Sequence, residues 1–171
     1  MDAAESVEDL VGAIEAAFAG VSRGQITIHE AEVLDDYGTE AERLEAHARD
    51  LEQDWRDVPG SSIAECPCAL SYFDPPSWRF YLPAYMRWTL QHLKDAGCPS
   101  IDDVIYALDR GEGAPDLFEY KLQRFRTLNA AQAEAVRRVL AFASANDDCC
   151  AAVVAKRALE TYWSGATGVR G

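Results

Sequence analysis

The sequence has no uninterrupted apolar run approaching the roughly 18 residues a membrane span requires, and its mean hydropathy is slightly negative, −0.21. It also lacks a basic N-terminal region: the chain opens Met1-Asp2-Ala3-Ala4-Glu5, acidic where a secretory signal is positive. On these two absences neither a membrane-spanning helix nor a secretory signal is expected, and the expected location is cytoplasmic. There is no Cys-x-x-Cys, which removes the zinc-ribbon and thioredoxin patterns. No Gly-x-x-x-x-Gly-Lys-Ser/Thr loop and no Gly-x-Ser-x-Gly elbow occur, so neither P-loop nucleotide binding nor a hydrolase nucleophile is indicated. The five cysteines are odd in number, so a complete internal disulfide framework is impossible; reduced thiols are expected.

What is present is an ordinary globular balance: 171 residues, 49% hydrophobic and 26% charged. That is enough to bury one core. The charge, net −13, is lopsided. Residues 1–60 hold 16 of the 29 acids and four of the 16 bases, a net of −12. Such a segment repels nucleic acid and anionic membranes, and it attracts a basic protein surface or a cation. The plain alternative is a solvated, solubilising face.

Hydrophobic spacing and capping signals predict a mainly α protein. The expected fold is a single-domain bundle of about six helices over residues 1–163, with a flexible Gly-rich tail at 164–171. Its parts are an acidic segment 1–60, an aromatic-rich centre 61–99 and C-terminal helices over 100–163. Ser6 caps a first helix whose Leu10, Ile14 and Phe18 share a face. Thr27 with Glu30, Thr39 with Glu42 and Asn129 with Gln132 match the capping box. The Thr39 helix is expected to run to Trp55, burying Leu44, Ala48 and Leu51. Ser100 with Asp103, and Asp147, are the expected caps of two later helices. Residues 63–83 are the least helical stretch because four prolines fall there. A short β-hairpin or extended segment around 69–82 is the alternative, with Pro83 opening the following helix.

Three constellations carry the functional possibilities. Seven aromatics, Tyr72, Phe73, Trp78, Phe80, Tyr81, Tyr85 and Trp88, fall within 17 residues. They form either a core nucleus or a pocket or partner surface, in which Arg79 and Arg87 bind an anion. His29, Arg79, Tyr81 and Tyr85 are the candidate pocket residues. On a helix, His29, Glu32 and Asp36 share a face, as a candidate cation site or acid/base group, against the simpler reading of a surface histidine among acids. Position 33 is Val, so the His-Glu-x-x-His pattern fails. A joint metal site from Cys66, Cys68, Cys98 and a histidine is weighed against buried or incidental thiols.

Arg79-Phe80-Tyr81-Leu82-Pro83-Ala84-Tyr85-Met86 resembles the signature of a bacterial family of uncharacterised proteins of about this size. The segments Ile28-His29-Glu30-Ala31-Glu32, Asp35-Asp36-Tyr37 and Gln132-Ala133-Glu134-Ala135-Val136 are similar to that family too, so the resemblance spans residues 7–145. It implies a bacterial intracellular protein and adds no chemistry. In style the chain is similar to immunity proteins of toxin systems. The leading expectation is a non-catalytic, cofactor-free interaction protein, an immunity or inhibitor protein. Glu32, Asp35, Asp36 and Glu40 would meet a basic partner protein, with no nucleic acid and no membrane involved. The rival is a small metal-binding protein or enzyme built around His29.

Overall fold

The longest helix is also the most buried, and it organises the rest. The computed structural model describes residues 5–95, 99–113, 115–146 and 149–165, with only the helical backbone of residues 99–101. Among the described residues there are nine α-helices and no strand. They are α1 (Val7–Ala17), α2 (Ile28–Asp35), α3 (Glu40–Arg49), α4 (Gly60–Glu65), α5 (Pro75–His92), α6 (Pro99–Leu108), α7 (Pro115–Phe125), α8 (Ala130–Ser144) and α9 (Ala152–Thr161). Three single 3-10 turns, Trp55–Asp57, Ala69–Ser71 and Trp163–Gly165, connect or end them. The mainly α reading holds, but the helices exceed the expected six. No helix among the described residues is long and apolar enough to cross a membrane.

The β-hairpin alternative around 69–82 fails for a local reason. Pro75 and Pro76 occupy the first two positions of α5, where their missing N–H groups have no intrahelical partner to lose. The helix therefore starts eight residues before Pro83, which lies inside it. There Pro83 cannot donate to the Arg79 carbonyl one turn back. Burial of Trp78, Phe80, Tyr81, Leu82, Ala84, Tyr85 and Met86 on all sides of α5 offsets that loss, since each large side chain contributes about 1.5–3 kcal/mol. An apolar surface all round a helix marks a core element, and most of the aromatic cluster is core.

Around α5 the other helices close one continuous apolar core from Leu10 to Trp163. Helix α1 packs on α5 and α8, α9 packs on α8 and α6, and α2 packs on α3. Tyr81 stacks on Phe73 with centroids 4.6 Å apart, and Phe125 joins Trp78 to Trp163. Arg124, buried on α7, donates to the carbonyls of Phe73, Ser71 and Tyr120 and so fixes the loop before α5. Ser6 caps α1, and the capping boxes of α3 and α8 form as expected, while at α2 the bond from the Thr27 N–H to Glu30 forms and the Thr27 hydroxyl makes none. Helix α6 begins at Pro99, which places Ser100 inside its first turn. The Ser100 side chain, Cys98, the Asp147 cap and tail residues 166–171 lie outside the described residues.

Helix α3 departs most from expectation. It ends at Arg49, and Leu44, Ala48 and Leu51 are exposed. Only Ala46 on this helix is buried, with Trp55 burying beyond its end. The side of α3 that faces the protein is polar.

Candidate functional site

The α2–α3 pair is held by two buried carboxylates. Glu30, 7% exposed, starts as the capping-box residue of α2 and accepts from the Thr27 N–H at 3.3 Å. Its oxygens also take Arg43 Nη2 at 2.8 Å and pair with His47 Nδ1 at 2.9 Å, both from α3. Burial pushes the Glu30 carboxyl up, but the bonds from His47, Arg43 and Thr27 outweigh it and hold it below the ordinary value of 4.5. A carboxyl lowered in the folded state contributes stability that is complete above its unfolded value and is lost as pH falls through the folded one. Stability against urea should therefore decline below about pH 4.5, and Glu30→Gln should flatten that acid limb. An unchanged limb in Glu30→Gln would remove Glu30 from the explanation.

The second carboxylate, Asp50, lies just past α3 with its side chain 1% exposed. One oxygen accepts the His29 backbone N–H at 3.0 Å, and the other lies 2.5 Å from His29 Nδ1. Arg23 Nη1 donates to the Asp50 carbonyl at 2.7 Å and to the Glu52 carbonyl at 3.1 Å. His29 Nε2 points toward Glu65, 3.7 Å away. The imidazole is thus clamped between carboxylates of other segments and does not join Glu32 and Asp36. Among the described residues, no three His, Cys, Asp or Glu side chains are placed to hold a metal ion.

The acids proposed from sequence divide into two sets. Glu32 and Asp35 are half-buried against the 66–72 loop. Burial, then the like charges of Asp35 and Asp36, raises the Glu32 carboxyl. The bond to Asp35 pushes the Tyr72 hydroxyl up to about 12. Burial, then the charges of Glu32, Asp50 and Glu65, pushes the Cys66 thiol up to about 12, which leaves it protonated and a poor nucleophile or ligand. Asp36 and Glu40 stand on the outside with Glu45, and none of these three has a cationic partner among the described residues. Between and beside them lie Tyr37, 96% exposed, Leu44, 67%, and Leu51, 78%. Tyr37 takes a left-handed φ of 55°, which costs a bulky residue energy, and the next residue is a tight Gly38 whose added Cβ would lie 2.4 Å from Val33 Cγ1.

The four candidate pocket residues are not gathered into one pocket. Tyr81 and Tyr85 are fully buried core, and the Tyr85 hydroxyl donates to the Cys66 carbonyl at 2.5 Å. Arg79 lines a surface cavity with Arg23, whereas Arg87 lies over the Trp55 ring, 5.2 Å from its centroid, and lines a different cavity with Trp88. The sequence reading missed Asp50, His47, Arg43 and Arg23. Glu30 carried a signal, since it was already fixed at the start of α2; the others reach it or His29 from 13 to 21 residues away, or hold Asp50 from 27.

No curated protein matches the chain, and no solved structure matches it. A family profile does, described as "Family of unknown function (DUF6714)", and it matches residues 6–167, from the α1 cap through the last 3-10 turn. With the match covering all nine helices, the chain belongs to the DUF6714 family.

Proposed function

We propose that this chain is a non-catalytic docking module of a bacterial cytoplasm, of the immunity or inhibitor kind. Its α3 face receives a basic segment of a partner protein. One observation carries the reading: the outward side of α3 pairs exposed apolar side chains, Tyr37, Leu44 and Leu51, with the uncompensated carboxylates Asp36, Glu40 and Glu45. Apolar anchors supply area, and the charge supplies steering and selects against acidic surfaces. The matching occupant is a cationic segment that carries its own apolar side chains. The strained Tyr37 supports this reading, because strain at an exposed bulky residue is kept where it presents that residue. Glu32 and Asp35 are half-buried; the contacting acids are Asp36, Glu40 and Glu45.

The test is capture of a basic partner from the native host at low salt. Binding should weaken about tenfold or more between about 50 and 200 mM salt. Glu40→Lys with Glu45→Lys should abolish capture. Asp116→Lys with Glu160→Lys, the same charge change at exposed sites on α7 and α9, should retain it. Equal loss in both double variants would reduce the interaction to net charge and overturn the docking face.

The His29–Asp50 contact favours a second reading, an acid/base or metal-binding protein, since a carboxylate on Nδ1 orients an imidazole for work at Nε2. Against it, Nε2 is buried. Elemental analysis decides its metal form: a stoichiometric metal lost in His29→Ala would favour this reading over docking.

A further inference from the structure

Among the described residues, a surface cavity inverts the charge of the chain. It measures about 390 Å³ and is lined by Arg23, Arg79, Ser22, Asn129, Gln132, Pro76 and small side chains of the α1 end, with no acid in the lining. We propose that this cavity binds the phosphate group of a small metabolite.

Both guanidinium groups are fixed by neutral partners. Arg79 Nε donates to Gln132 Oε1 at 3.0 Å. Gln132 is itself buried: its carbonyl oxygen takes the Asn129 N–H at 3.1 Å, and its amide donates to the Ala17 carbonyl at 3.2 Å. Arg23 is held by the Asp50 and Glu52 carbonyls. Among the described residues neither arginine meets a carboxylate, although the chain carries 29 acids. Two cations fixed on one cavity without a counterion repel each other, and an anion between them relieves that repulsion. The N-terminus of α8 opens at Asn129 in the lining, which adds positive potential on the same side. The frame is rigid as well. A Cβ on Gly24 would lie 2.3 Å from the Ser77 backbone N, and Ile26 N–H donates to Ser77 Oγ and Asp74 Oδ1, so the loop carrying Arg23 is pressed onto the start of α5. Little ordering remains to be done on binding. Guanidinium forks suit a tetrahedral oxyanion, and the volume leaves room for a short organic group against Ala17, Ala19 and Val21.

Titration calorimetry with inorganic phosphate and with glycerol 3-phosphate, at constant ionic strength, tests the proposal. Saturable 1:1 binding is expected. Arg79→Gln should weaken it by about tenfold or more, whereas Arg87→Gln should leave it unchanged. Arg79→Lys, which keeps the charge and loses the fork, should fall between. Tighter binding of the ester than of phosphate would identify the metabolite as the source, and equal binding a free phosphate. No saturation by about 20 mM of either probe, or full binding in Arg79→Gln, overturns the proposal.

Discussion

Asp50→Ala should lower the unfolding free energy by about 3–5 kcal/mol, the largest effect of any polar substitution in the protein. The carboxylate has almost no contact with water and meets both the backbone N–H and the ring Nδ1 of His29. Alanine would leave both groups facing a dry cavity, so the cost includes two stranded donors as well as the lost contacts. The melting temperature should fall by about 10 °C, given roughly 2–4 °C per kcal/mol for a chain of this size. His29→Ala should cost less, because it removes the ring and leaves the backbone bond to Asp50. The double variant should cost less than the two singles combined, since each single already breaks the same contact. A melting temperature for Asp50→Ala within about 2 °C of the parent would contradict the clamp.

Trp55→Ala should be comparably severe, about 3–5 kcal/mol. The indole is 1% exposed, and its Nε1 donates to the Phe18 carbonyl at the end of α1 at 3.0 Å. The other face of the ring carries the Arg87 guanidinium. Removing it opens a cavity between the α3 exit and α1–α5 and leaves the Phe18 carbonyl with only the weaker bond from the Val21 N–H at 3.3 Å. Trp55→Phe separates these effects: it keeps most of the packing and loses the bond, so about 1–2 kcal/mol is expected in urea titrations. If phenylalanine costs as much as alanine, the hydrogen bond and not the volume is what matters.

The local signals were legible and the long-range ones were not. Ser6, Thr27, Thr39 and Asn129 mark helix starts through bonds closed within three residues, and each start is where it was marked, Thr27 through its N–H to Glu30 alone. The prolines around α5 were ambiguous, because Pro75, Pro76 and Pro83 each suit a first turn. Only the buried aromatics on every side of α5 decide for the earlier start. For α3 the periodicity pointed the wrong way. Leu44 and Ala48 do share a face, with Leu51 beyond the helix end, and spacing alone assigns such a face to the core. It faces out because the ion partners of Glu30, Arg43 and His47, occupy the inner side. At the candidate site, the acidity of the first third was evident from composition. Composition did not show that Glu30 and Asp50 are consumed in structure and Glu32 and Asp35 half-buried, which leaves Asp36, Glu40 and Glu45 to face solvent. The pairing of Arg23 with Arg79 joins positions 56 residues apart and leaves no trace in spacing.

A helix that buries one alanine and is retained by charges has little hydrophobic adhesion to keep it in place. Peeling α3 off the body exposes little apolar surface, so such an opening adds little heat capacity and proceeds at a fraction of the global unfolding free energy. Kosmotropic salts tighten the aromatic interior around α5, whereas the contacts that secure α3 gain little from them, and their buried carboxylates leave them little open to screening. The interior and its acidic flap therefore answer the same solvent to different degrees.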